Sequence, residues 1–141
     1  MKKQLFIILT IATCLLSCEK QETIYVEKQE DDSAEKAIVA MNYDLWASAS
    51  ESHDSTTMKA LVVPGSSFEG MTNSCKTSWD NGAELYYQFS NLSVVLYENS
   101  AAVSGNITMI QGEPNNFSGT FGSESVMVNG QWKLKTINAN Y

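Results

Sequence analysis

One histidine and a scatter of carboxylates are what this 141-residue chain offers to proton transfer. A general acid or base must sit beside its substrate with a pKa moved toward the working pH. His53 falls in the bend expected between two helices, next to Asp54, where side chains face solvent, so it reads as a surface or capping residue. Asp44 lies on the polar side of the first expected helix, two positions before Trp46, and reads as a solvated charge. Glu124 belongs to an alternating stretch, and the pattern leaves open which face of its strand it takes. No Asp/His pair stands where elements should converge, so no catalytic residue is assigned. Metal chemistry has no better footing, because a zinc site needs three or four nitrogen or sulfur ligands. Glu30-Asp31-Asp32 lacks the spacing and the glycine of a calcium loop. There is no Gly-rich phosphate loop, no Gly-x-Ser-x-Gly and no Cys/His nucleophile pattern. The expectation is therefore no metal and no cofactor.

Aromatic residues are the more promising material. Tyr43, Trp46, Trp79, Tyr86, Tyr87, Phe121, Trp132 and Tyr141 are many for so small a domain. They suffice to line a pocket for a small apolar or amphipathic ligand, or to fill a core. The charge balance excludes one partner class. Nine lysines stand against sixteen acids with no arginine, and such a chain is repelled by nucleic acid.

The N-terminus carries the most specific pattern. Lys2-Lys3 precede the apolar run from Leu5 to Leu16, which has the layout of an export signal. The run is shorter than the roughly 20 residues that span a bilayer. It closes on Leu15-Leu16-Ser17-Cys18, which resembles the lipobox of bacterial lipoproteins. That resemblance implies cleavage before Cys18, acylation of its thiol, and attachment to a lipid membrane of the cell envelope, in particular the outer membrane of a Gram-negative cell. Several acyl chains together hold stably where one holds only marginally. Removing residues 1–17 takes away two lysines and moves the formal charge from −7 to −9. Cys14 leaves with the signal and Cys18 takes lipid, so Cys75 remains as the sole thiol, read as a small buried hydrophobe.

Residues 18–32 are the lipidated cysteine and a charged tether whose only apolar positions are Ile24, Tyr25 and Val26. Such a segment buries too little to offset its ordering entropy. Asp32 with Glu35 suggests a capping box opening a helix to about Ser50. Its expected apolar stripe is Ala34, Ala37, Ile38, Met41, Leu45, Trp46 and Ala49. Asp54 should cap a second helix burying Met58, Leu61 and Val62, followed by a turn at Pro64-Gly65 and a short strand near Ser66–Phe68. A third helix is expected after Asn81-Gly82, turning Leu85, Tyr86 and Phe89 inward. From Leu92 the period changes to two. Leu92–Tyr97 and Ala101–Ile110 read as a hairpin, and Phe117–Val128 turns at Asn129-Gly130 into Trp132–Ile137. Helices first and an antiparallel meander afterwards imply an α+β fold, the N-terminal helices packed on a curved antiparallel sheet.

The tryptophan-bearing first helix, the Asp-capped second, the strand pair from Leu92 to Gly105 and the closing Asn129-Gly-Gln-Trp-Lys-Leu134 hairpin resemble the nuclear transport factor 2-like superfamily, in particular its SnoaL-like bacterial branch. The likeness spans residues 33–141. It implies a cystatin-like cone open at its wide end, with Tyr43, Trp46, Trp79, Tyr87 and Phe121 as candidate ligand-binding residues and Asn138 as a polar liner. The leading expectation is a non-catalytic module whose cone receives a small ligand or part of a partner protein. The alternatives are a SnoaL-like isomerase or hydratase, and an interaction protein with a filled cone that forms a homodimer.

Overall fold

A computed structural model of the chain describes residues 32–112 and 114–141. The expected export signal, the lipobox and nearly all of the tether lie outside these residues. Helix α1 (Ser33–Glu51) begins where expected, yet Asp32 makes no side-chain cap and instead pairs with Lys36 at 3.1 Å. The helix is also turned relative to the expected stripe. Val39, Tyr43, Trp46 and Ala49 face inward, whereas Ile38, Met41 and Leu45 keep 48%, 50% and 44% of their surface in solvent. Two large rings, each with some 150–250 Å² to bury, outweigh three aliphatic side chains in setting the rotation of the helix.

At the end of α1 the chain reverses through His53 in the left-handed region (φ 59°), and the Asp54 amide returns to Ala49 O at 2.8 Å. Asp54 then caps α2 (Ser55–Ala60) as expected, accepting from the Thr56 and Thr57 amides at 3.1 and 3.0 Å. The strand expected near Ser66–Phe68 is instead the start of a third helix, α3 (Ser67–Asp80). A capping box opens it: the Glu69 amide donates to Ser66 Oγ at 3.2 Å, and the Glu69 carboxylate accepts from the Gly65 amide at 2.7 Å. The helix expected after Asn81 is absent as well. Gly82 (φ 74°) ends α3, and Leu85, Tyr87 and Phe89 then point one way while Gln88 and Ser90 point the other, the period of a strand.

Four antiparallel strands follow in chain order, β1 (Tyr86–Leu96), β2 (Ser100–Ile110), β3 (Phe117–Val128) and β4 (Gln131–Asn140). The turn between β3 and β4 is the expected one, with Asn129 and Gly130 both at positive φ (51° and 76°). Irregularities at Ser90/Ser93 in β1 and, opposite Glu124/Ser125, at Lys135 in β4 bend the sheet. At the first of these the backbones crowd so closely that a side chain on Gly105 would put its Cβ 2.7 Å from Ser90 O. All helices lie on one face of the sheet, which makes the fold the α+β arrangement expected. The other face presents Gln88, Ser90, Ser93, Ser104, Asn106 and Thr120 to solvent.

The outer edge of β4 is covered over part of its length. Val62 bridges Leu134 in parallel, with Leu134 N to Leu61 O and Val63 N to Leu134 O both at 2.9 Å. Ser67 Oγ then accepts from Ile137 N at 2.9 Å. No described helix is long and apolar enough to cross a membrane.

Candidate functional site

The space between α1 and the sheet is where a cone would hold its guest. It is occupied by the protein's own rings. Tyr43 and Trp46 have no exposed surface, and Phe68, Tyr87 and Phe121 retain 7% or less. Tyr43 meets Phe68 and Phe89 edge-on, at centroid separations of 5.7 and 5.4 Å. Trp46 meets Phe68 at 5.4 Å and Tyr87 at 5.8 Å, and Phe89 closes on Phe121 at 5.1 Å. Such tilted and edge-to-face contacts are the favourable aromatic geometries.

Among the described residues, the buried side-chain polar atoms other than Trp132 Nε1 have partners. The Tyr43 hydroxyl contacts Ser123 Oγ and lies 3.2 Å from Ser125 Oγ, while Trp46 Nε1 donates to Thr72 Oγ1 at 3.1 Å. Asn42 Nδ2 donates to the Trp132 carbonyl at 2.9 Å, tying α1 to β4, and Ser50 Oγ accepts from the Tyr87 amide at 3.1 Å. The buried polar side chains among the described residues are Asn42, Ser50, Thr72 and Ser125, with no carboxylate or imidazole. The titratable groups inside are Tyr43, Tyr87 and Cys75. Burial raises the Tyr43 pKa against the lowering effect of its serine partners, raises that of Tyr87 above the ordinary phenol range, and pushes the Cys75 thiol up to about 12. All three are neutral near pH 7.

The candidate ligand-binding residues are thus divided. Tyr43, Trp46, Tyr87 and Phe121 come together, as core. Trp79 lies to one side, donating Nε1 to Leu85 O at 2.9 Å and stacking on His53 at 4.6 Å between centroids. That stack places His53 on the surface. Asn138 is on the opposite face of the sheet, in a shallow depression of about 370 Å³ shared with Tyr97, Gly122 and Glu124. Glu124 takes that face too and pairs with Lys135 at 3.0 Å. Asp44 is exposed on α1, and Cys18 lies outside the described residues. Among the described residues no three His, Cys, Asp or Glu side chains gather in one place.

No family model and no curated protein matches the chain. Solved structures do. An NTF2-like protein of unknown function from Pseudomonas putida superposes with a TM-score of 0.63 at 10% identity, over 77% of this chain and 87% of its own. A protein of unknown function with a cystatin-like fold from Nostoc punctiforme gives 0.60 at 14% identity, over 76% and 90%. The fold is nuclear transport factor 2-like. A third match of the same architecture, from Novosphingobium aromaticivorans and provisionally named a scytalone dehydratase, gives 0.59 at 15% identity, over 78% and 87%. At these identities the nuclear transport factor 2-like likeness concerns the path of the chain alone.

A second concavity went unread in the sequence. On the outside of the domain, a groove of about 630 Å³ runs between the first turns of α1 and the β3–β4 hairpin, lined by Ala34, Ile38, Asn42, Leu61, Met127 and Trp132 among others. Phasing α1 on Tyr43 and Trp46 would have exposed its one visible sign, the leftover Ile38, Met41 and Leu45.

Proposed function

We propose that this chain is a lipid-anchored interaction module of the bacterial cell envelope, held to the membrane through acylated Cys18, whose cone is filled by its own side chains. The observation that carries the second half is the ring cluster of Tyr43, Trp46, Phe68, Phe89 and Phe121, with Tyr43 and Trp46 entirely buried. A binding cone leaves room for its ligand, and a proton-transfer enzyme keeps a carboxylate or imidazole inside. Here the space holds aromatic rings and satisfied hydroxyls, so recognition falls to the outer surface. The lipobox pattern supports the anchoring half, since the cysteine at its end is where acyl chains attach and several such chains hold firmly.

Membrane fractionation tests the anchor. The unaltered protein should stay with membranes through a high-salt wash, and C18S should be released into the soluble fraction. A C18S protein that still resists salt would end the anchoring proposal. Native mass spectrometry of the detergent-solubilised protein tests the filled cone, which should carry no small apolar guest. A stoichiometric co-purifying compound seated among the rings would overturn it.

A further inference from the structure

The groove between α1 and the β3–β4 hairpin has two features that ask for an occupant. Its exposed lining is mostly apolar, with Ala34, Ile38, Leu61, Met127 and Trp132 bordering about 630 Å³ and Glu35, Asn42, Gln131 and Lys133 as the polar members of the wall. Its apolar character continues along α1 through Met41 and Leu45, both exposed. The second feature is an unmet donor. Trp132 is 6% exposed, and its Nε1 is the buried side-chain polar atom among the described residues that lacks a hydrogen-bond partner. Buried N–H groups are very largely satisfied in native proteins, and each orphan calls for an explanation. A ligand with apolar side chains covers the first feature, and its carbonyl oxygen reaches the second once the Trp132 ring shifts to present Nε1, which has almost no accessible surface as it stands.

We propose that the occupant is the chain's own tether, with Ile24-Tyr25-Val26 folded back into the groove and a backbone carbonyl of that stretch accepting from Trp132 Nε1. The groove starts at Ala34 in the first turn of α1, so the tether enters beside it. Between Val26 and Asp32 the chain has five residues, Glu27 to Asp31, enough to span about 20 Å when extended. A segment attached so near works at the high effective concentration of an intramolecular ligand, and weak contacts suffice to hold it. Ile24-Tyr25-Val26 is also the tether's only apolar run, and its β-branched and aromatic residues favour the extended form that presents carbonyls in regular succession. Docked in this way, the tether holds the domain close to its attachment point. When the groove is claimed by something else, the tether is freed to its full length.

The tether of the full-length protein is tested with a photoreactive benzophenone side chain in place of Tyr25, followed by peptide mass spectrometry. The expected result is a cross-link within one chain, onto residues 34–45 or 127–133. Cross-links to a second copy, to another protein, to a different part of the domain, or none above background would each overturn the proposal. Indole N–H exchange followed by NMR gives an independent reading. Trp132 Nε1–H should exchange at least tenfold faster in the triple variant I24S/Y25S/V26S than in the unaltered chain, with Trp46 and Trp79 unchanged. Equal exchange at Trp132 would count against docking. The three substitutions precede the first described residue, so the folded domain is left intact in both arms. A negative outcome here would leave the lipid anchor and the filled cone standing, since neither needs a docked tether.

Discussion

Replacing Trp46 by alanine decides whether the cone is full. Its ring has no solvent-exposed surface and touches Phe68, Tyr87 and Phe89 at centroid distances of 5.4, 5.8 and 6.0 Å. Truncating a tryptophan in a packed core costs about 3–5 kcal/mol, the spread reflecting how far the walls can collapse. Collapse is resisted here, because those walls are rings held by the curved sheet on one side and α3 on the other. The lost bond to Thr72 Oγ1 adds about 1 kcal/mol, since that hydroxyl keeps its own acceptor, Phe68 O, at 3.0 Å. The expected loss is therefore about 4–6 kcal/mol, a large part of the ~5–15 kcal/mol typical of a domain. Urea titration followed by far-ultraviolet circular dichroism should show the midpoint falling with the slope unchanged. Adding indole should recover part of the loss by refilling a dry, ring-lined cavity. A cost below about 2 kcal/mol with no response to indole would refute the reasoning, because only a side chain standing in open space could be removed so cheaply.

Two further outcomes follow from the titrating groups. The Thr57 hydroxyl and amide, with a smaller share from the Thr56 amide, hold the Asp54 carboxyl below its ordinary value. Its folded-state pKa is thus the lower one, so its stabilising effect is complete above the ordinary carboxylate range near pH 4 and drains away as the pH falls through the depressed value; D54A should lower the thermal midpoint at pH 7, with the gap to the unaltered protein closing as the pH falls below the ordinary carboxylate range, and a gap independent of pH would contradict the cap. Cys75 is buried, with its thiol pushed up to about 12; at pH 8 a water-soluble alkylating reagent should leave the Cys75 peptide unmodified in the native protein and label it fully in urea, and rapid native labelling would disprove that burial.

The α+β architecture was legible because the sequence switches from a helical period to an alternating one, and because Asn129-Gly130 admits few turns other than a tight hairpin. Local signals that rest on backbone chemistry, such as Asp54 before α2, were equally clear. The losses came where periodicity was ambiguous. α3 has a weak stripe, with Phe68, Thr72 and Cys75 as its buried positions, and two of those are small. The spacing of Ser66 and Glu69, which cap the helix, is the stronger sign in the sequence, and the expectation of a strand at Ser66–Phe68 passes over it. Leu85, Tyr87 and Phe89 fit a two-residue period, yet Asn81-Gly82-Ala83-Glu84 imitates a helix start where it is a helix end. The candidate ligand set failed to separate lining from filling, because a sequence shows that rings converge and not whether space remains between them. The groove is hidden for a related reason: the seven-position stripe on α1 reads as one face in the sequence and is two in the structure.

The arrangement along β4 restricts how copies of this domain can meet. Leu61 to Ser67 already take up backbone groups of Leu134 and Ile137, so a foreign segment would have to displace part of the protein itself to extend the sheet from that border. The opposite border, β1, is interrupted midway where Asn91 turns to φ 53°. Both rims are thereby poor templates for continuous ladder growth of the kind that leads to amyloid-like stacking.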